Sequence, residues 1–414
     1  MELFEIIALL LSVSAIFSFL NHRFIKLPTT IGLMLIGLIT SLALVVIGNF
    51  IPAVETWAVE FLHSIKFDQT LLHGMLSVLL FAGALHVNIN DLRSQYRIIF
   101  LLATVGVVFS TFLVGTISWL LFGLLGFEIS YLYCLLFGAL ISPTDPIAVL
   151  GILKSAGVPK SLETKIIGES LFNDGVGVVV FLVLLSIVTG GDEIGFSSIA
   201  SLFIKETGGG VVLGLLSGMF AYWLLKQVDN YQVEVLITLA LATGGYALAE
   251  ALHLSAPIAI VVAGLLIGNR GRSLAMSDQT TEHLDSFWEL LDEIMNAVLF
   301  LLIGLEVLIL DITPMKLAAA GMAVPLILFC RFTSVSVPVV LLSKFRGFSP
   351  HVIKILTWGG LRGGISVALA LSLPVGETRE ILLPVTYGVV AFSIVVQGLS
   401  IGPMLKKMNS GVNN

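Results

Sequence analysis

Asp145, Glu169 and Asp174 fall within a stretch, 142–177, both ends of which sit inside sequence apolar enough to lie in a membrane. It opens Ser142-Pro143-Thr144-Asp145-Pro146 and closes Gly168-Glu169-Ser170-Leu171-Phe172-Asn173-Asp174-Gly175. Ionisable side chains at bilayer depth are costly, and those that persist mark ion or proton pathways. Asp145 stands between two prolines. Proline lacks an N–H and breaks a helix, so this segment is expected to unwind near its centre. A carboxylate beside freed backbone carbonyls at that depth is a site for a cation, and the carbonyl of Thr144 is the ligand an unwound backbone presents. Asp145 either touches the cation, acts through water, or caps a half-helix N-terminus. Asp174 reads as the carboxylate that takes up a proton or a cation; the structural alternative pairs it with a fixed base. Ser170, four residues earlier, shares its helical face. Its hydroxyl either completes a small oxygen cage or bonds its own backbone. Asn173 joins Asp174, Asp145, Thr144 and Ser170 in the set expected around the cation.

Two arginines are embedded as well. Arg331 sits in Leu328-Phe329-Cys330-Arg331-Phe332, and Arg362 in Trp358-Gly359-Gly360-Leu361-Arg362-Gly363-Gly364. Arginine keeps its charge and needs an acidic partner when buried. Glu169, on a face rotated from that of Asp174, is the best candidate for Arg331, and the pair is expected to be structural. Four glycines weaken the helix around Arg362, whose charge is expected to offset half-helix C-terminal dipoles and neighbouring acid.

The elements that must carry these residues follow from composition. The 414 residues are 57% hydrophobic and only 12% charged, with a mean hydropathy of +1.05. Soluble domains carry about 25% charged residues, and only helices or closed barrels satisfy the backbone in lipid. The apolar runs are long and continuous, unlike barrel strands, so the fold class is an all-α polytopic membrane protein, surrounded by lipid. About 13 apolar segments approach spanning length: roughly 3–20, 29–49, 70–86, 97–124, 131–153, 161–189, 199–226, 231–251, 255–269, 293–310, 315–343, 351–373 and 380–407. The stretch 273–292 reads as an interfacial amphipathic or solvated helix. Glu306 is an intramembrane acid outside any motif, expected at a pore or helix interface. The net charge of −6 and the lack of a basic tract give no support to nucleic-acid binding. Both cysteines, Cys134 and Cys330, lie in apolar segments, so no disulfide framework is expected.

Lys and Arg crowd the loops after odd-numbered segments, from Arg23 and Lys26 to Lys406 and Lys407; the other side holds only Lys66, Lys205, Lys316 and Arg379. The positive-inside rule then places the N-terminus outside and the C-terminus in the cytoplasm. The interrupted fifth and twelfth segments are each the middle of a triplet, and the triplets have opposite orientation. Paired interruptions in two inverted halves are the sequence signature of a secondary transporter with its site at the crossing. A channel would need a continuous polar lining instead of charges clustered at mid-depth. No His-Glu-x-x-His or serine-nucleophile elbow supports an intramembrane enzyme.

Ser142-Pro143-Thr144-Asp145-Pro146, the Gly168–Gly175 run, Cys330-Arg331 and Gly359-Gly360-Leu361-Arg362-Gly363, found in that order, resemble the NhaP/NHE branch of the monovalent cation–proton antiporters. The resemblance implies an NhaA-type inverted-repeat fold with two crossing interrupted helices. It implies a transport core at 97–190 and 315–407, with dimerisation-domain helices at 1–96 and, with a linker, at 191–314. It further implies a homodimer in the plasma (inner) membrane, an elevator-like shift of the core, a role in pH homeostasis, and Na⁺ and H⁺ as cargo with no cofactor. Carried over by residue, the essential acid falls on Asp174, the unwound pair on Thr144 and Asp145, the hydroxyl ligand on Ser170, and the structural ion pair on Glu169 with Arg331. One departure is Ala82, in Leu79-Leu80-Phe81-Ala82-Gly83, where many relatives carry an acid. Regulation by a long cytoplasmic tail is not expected.

A proton or a desolvated Na⁺ (or Li⁺) can each neutralise Asp174, but not both at once, and that exclusion is sufficient for antiport. Moving a bare carboxylate across hydrocarbon costs several kcal/mol or more, which blocks the empty, charged state from slipping. Because Asn173 is a neutral amide rather than a second acid, the simplest count is one for one and electroneutral. A K⁺/H⁺ exchanger with the same site is the alternative, and a cation channel a weaker one.

Overall fold

The computed structural model describes residues 3–145, 160–190, 196–343 and 351–410. Among them every regular element is helical, and the one β-type pairing is an isolated bridge between Asp145 and Leu361. In chain order the helices are α1 (Leu3–Leu20), α2 (Thr29–Gly48), α3 (Pro52–Ile65), α4 (Leu76–Leu85), α5 (Ile89–Leu101), α6 (Val107–Leu124), α7 (Tyr131–Ile141), α8 (Lys160–Gly190), α9 (Phe196–Leu225), α10 (Tyr231–Ala251), α11 (Ala256–Leu266), α12 (Asp278–Glu306), α13 (Pro314–Ser343), α14 (Val352–Trp358), α15 (Gly364–Leu371), α16 (Glu377–Phe392) and α17 (Gly398–Ser410).

Among the described residues, eight continuous helices are long and apolar enough to cross a membrane, or nine when the bent run Pro52–Leu72 with Leu76–Leu85 is taken as one. This is fewer than the segments read from hydropathy, and the reasons are local. In the fifth segment only Tyr131–Ile141 is helical before the non-helical 142–145; Pro146 and the rest of that segment lie outside the described residues. The twelfth divides into α14 and α15, with 359–363 between them. The tenth is the C-terminal half of α12, which corrects the expectation of a separate interfacial helix at 273–292. Ser277 caps α12 at Thr280 N, no proline or glycine follows until Gly304, and Leu284 and Trp288 are buried one turn apart. The apolar stripe thus continues into the hydrophobic half without a break. Helix α3, which lies outside the segments read from hydropathy, starts at Pro52 in the favoured first position and buries Ala58, Phe61, Leu62 and Ile65 at helical spacing.

Buried apolar side chains form two clusters at different levels of the bundle. One gathers Phe61, Phe122, Phe137, Phe181, Phe300 and Leu369. The other gathers Phe81, Ile166, Trp288, Val339, Leu356 and Leu405. Helices α8 and α12 each give one end to either cluster. Between Leu171 of the second cluster and Val178 of the first, α8 carries Asn173 and Asp174, so the polar residues occupy the waist between two greasy layers.

Candidate functional site

The site is built where two non-helical stretches touch. After α7 ends at Ile141, the chain runs on without helix to Asp145, whose amide donates to the carbonyl of Leu361 at 2.8 Å. Leu361 lies in the 359–363 gap between α14 and α15. Such an approach needs a residue without a Cβ: a Cβ at Gly363 would strike the Asp145 carboxylate. Arg362, 3% exposed, fixes the contact from the other side. Its Nη1 donates to the carbonyls of Ser142 and of Pro143, the latter at 2.8 Å. Both acceptors belong to the turn after α7, where carbonyls lose intrahelical partners, so the arginine completes that helix end with a charge of the favourable sign. Its own amide donates to Ser393 Oγ at 2.9 Å, Ser393 Oγ donates to Gln397 Oε1 at 2.7 Å, and Gln397 Nε2 donates to the Trp358 carbonyl at 3.0 Å. This chain ties both ends of the second gap to α16 and the turn beyond it; the sequence reading missed it.

Helix α8 presents Ser170, Asn173 and Asp174 to the first stretch, positions that share one face by helical spacing. Thr144 Oγ1 is 3.1 Å from Ser170 Oγ. Asn173 is committed at both ends of its amide: Nδ2 donates to Thr144 Oγ1 at 2.9 Å, and Oδ1 accepts from the Thr144 amide at 3.3 Å. Asn173 does not line the cavity described below. Its amide makes two hydrogen bonds to Thr144, which hold that residue beside the cavity.

Glu169, on the adjacent face, meets α13. Arg331 Nη1 donates to Glu169 Oε1 at 2.5 Å, and Nη2 donates to the Leu356 carbonyl at 3.2 Å. The two residues are 7% and 1% exposed, respectively. The geometry joins α8, α13 and α14 around one charge pair outside the cavity.

A cavity of about 550 Å³ opens beside these contacts. Asp174, only 8% exposed, shares its wall with Asp145, Thr144 and Ser170, and the two carboxylates act on each other electrostatically. Ala82 of α4 stands in the same wall. Three further acids line it: Glu163 from the start of α8, and Glu289 and Asp292 from α12. The sequence reading left these three unassigned. The signal for Asp292 was its spacing to Asn296 and Leu299 along one helical face, visible only once α12 is read as continuous. The arrangement offers two carboxylates and two hydroxyls at the end of a water-accessible pocket, next to backbone freed from helix. That is chemistry for binding a small cation or a proton.

Comparisons with known proteins bear on the family and the fold. The profile of the family described as sodium/hydrogen exchanger, transmembrane, matches residues 8–407. The chain is 50% identical over 412 residues to the Na⁺/H⁺ antiporter NhaP of Pseudomonas aeruginosa, covering 98% of this chain and 97% of that one. It is 35% identical over 390 residues to the Na⁺/H⁺ antiporter NhaH of Halobacillus dabanensis, covering 93% of each. Its fold is similar to the structure at pH 8 of the sodium proton antiporter MjNhaP1 from Methanocaldococcus jannaschii, with a TM-score of 0.75 at 20% identity, covering 98% of this chain and 99% of that one. This chain is an integral membrane protein with the fold of that antiporter, and it belongs to the transmembrane sodium/hydrogen exchanger family.

Proposed function

We propose that the protein exchanges Na⁺, and also Li⁺, for H⁺ at Asp174, one for one and without net charge movement. The observation that carries this reading is the shared wall: Asp174, Asp145, Thr144 and Ser170 border one cavity at the contact between the 142–145 and 359–363 stretches. Asp174 is the carrier, since of the two α8 carboxylates that line the cavity it is the buried one and stands beside the unwound stretch, whereas Glu163 stands at the start of the helix. Asp145 assists at the helix break, and Thr144 and Ser170 supply oxygen ligands. Asn173 holds Thr144 in place, and as an amide it adds no second titrating group to the exchange. Glu169 and Arg331 lock helices together outside the cycle, and Arg362 holds the two unwound stretches against each other.

The transport core comprises 97–190 and 315–407 in an NhaA-type inverted repeat of about 13 crossings, in which the fifth and twelfth cross at their breaks. The helices of 1–96 and 191–314 form the dimerisation domain, and two copies pair through it. The core shifts like an elevator when Asp174 is neutralised by either ion, because a bare carboxylate costs several kcal/mol or more in hydrocarbon. The protein works in the plasma membrane with its C-terminus in the cytoplasm, and the cavity at Asp174 faces the cytoplasm, because its lining includes His86, which meets Arg272, and Glu163, in the same first helical turn as Lys160.

The test is a pH-dye assay on everted vesicles with Na⁺, Li⁺ and K⁺ added in turn. Alkalinisation of the lumen on adding Na⁺ or Li⁺ is expected. A response to K⁺ alone replaces the cargo, and no response to any of them removes the antiport reading.

A further inference from the structure

A second cavity, of about 340 Å³, lies at the other end of the helices that line the first. Three elements reach both. Helix α12 gives Glu289, Asp292 and Leu299 to the first and Glu306 to the second, so the two linings come within seven residues, about 10 Å, along the helix axis. The run ending in α4 gives Leu71 through His86 to the first and Phe67 and Asp68 to the second. Helix α15 gives Gly364 to the first and Leu371 to the second. The two cavities therefore open toward opposite faces of the molecule.

Glu306 is 3% exposed and lines this second cavity, and among the described residues no hydrogen bond or ion pair ties its carboxylate. The hydroxyl of Tyr387 on α16 is buried and also lacks a hydrogen-bond partner, and the two groups act on each other electrostatically. A buried acid without a partner is costly, as is a buried orphan hydroxyl. The cost at the carboxylate falls if a small cation enters the cavity and lies against Glu306; the Tyr387 hydroxyl, outside the cavity lining, stands in the same field. Asp68 and Arg379, in the same lining, act on the Glu306 carboxylate from outside hydrogen-bond reach, the first favouring and the second opposing a bound cation by charge.

We propose that Glu306, with the Tyr387 hydroxyl in its field, forms an outer loading site for an inorganic monovalent cation, on the face opposite the Asp174 cavity. This rests on the antiport reading above. The walls come from α15 and α16 on one side and from α3 and α12 on the other, groups that the elevator reading moves relative to each other. A cation held at Glu306 is thus positioned to enter once the core presents Asp174 to the outer side.

The experiment compares half-saturating NaCl on the two faces, using right-side-out and everted membrane vesicles. Glu306→Gln is expected to raise the outer-face value about fivefold or more, while the cytoplasmic-face value and the maximal rate stay within about twofold. Glu306→Asp, which keeps the carboxylate, is expected to retain most of the outer-face affinity. Tyr387→Phe is expected to raise the outer-face value by less, and Arg379→Gln to lower it. Equal shifts on both faces, or unchanged outer-face values in these variants, overturn the proposal. If Glu306→Gln does not accumulate, Tyr387→Phe and Arg379→Gln carry the same test. Wild-type vesicles that show no Na⁺-driven proton movement on either face refute the antiport reading itself.

Discussion

Replacing Glu169 by Gln isolates the role of the buried ion pair. In the wild type the Arg331 guanidinium is held by the Glu169 carboxylate at 2.5 Å and the Leu356 carbonyl at 3.2 Å, and its Nε already has no partner. Glutamine keeps the shape and one acceptor but removes the negative charge, leaving an arginine that is 7% exposed with no counter-charge against it. Breaking one side of a buried pair costs about 3–5 kcal/mol. At roughly 2 °C per kcal/mol for a large domain, the apparent melting temperature in detergent should fall on the order of 6–10 °C. Arg331→Gln alone, which strands the carboxylate instead, should be similarly damaged. The double variant should recover a large part of the loss, because two amides in that geometry leave no bare charge, and coupling between contacting residues commonly reaches about 0.5–3 kcal/mol. The assay is thermal unfolding of the purified protein by intrinsic fluorescence, with vesicle exchange measured in parallel. A Glu169→Gln protein that melts with the wild type but no longer exchanges would refute the reasoning, since Glu169 would then act in the transport cycle. A double variant no better than the sum of the singles would refute it as well.

Other expectations follow from the same contacts. Gly363→Ala drives a methyl into the Asp145 carboxylate; exchange should drop about tenfold or more with normal membrane accumulation, in line with a misplacement on the order of 1 Å in a positioned site, and normal exchange would show that the two stretches need not touch. Arg362→Gln removes the charged donor to the Ser142 and Pro143 carbonyls; both lower melting temperature and slower exchange are expected, whereas loss of exchange at unchanged stability would make Arg362 part of the ion path. Ala82→Glu adds a carboxylate to the wall of the Asp174 cavity and should lower half-saturating Na⁺ from the side to which that cavity opens; an unchanged value means the third-segment position does not reach the ion. Clamping the liposome potential at several values should leave the wild-type rate unaltered, and a rate that tracks the potential contradicts one-for-one exchange.

The sequence made the class of the fold legible because charge depletion over long apolar runs leaves few alternatives, but it misjudged individual helices. Hydropathy sees the apolar half of α12 and not its acidic half, although Leu284 and Trp288 bury the latter against the bundle. It passes over α3, whose Glu55, Glu60 and His63 dilute the window while its buried face keeps helical spacing. Arg331 was informative because a buried permanent charge demands an acid, and the named partner stands 2.5 Å away. The bridge from Asp145 to Leu361 and the reach of Arg362 to Ser142 join residues up to 220 positions apart; prolines and glycines announce that each stretch is unwound, not where the two meet. The place of Asn173 beside Asp174 in sequence does not tell that its amide bonds Thr144 twice, a contact across 29 positions.

Competition at Asp174 is the centre of the account, and it is measured most directly by half-saturating Na⁺ across a pH series, with and without Asp174→Asn. If one carboxylate serves both ions, the half-saturating Na⁺ should rise on acidification, approaching tenfold per pH unit once the carboxylate is mostly protonated. The Asp174→Asn protein should accumulate and melt normally yet show no Na⁺-driven proton movement at any pH. A half-saturating Na⁺ that does not change with pH, or exchange that survives in Asp174→Asn, would contradict it.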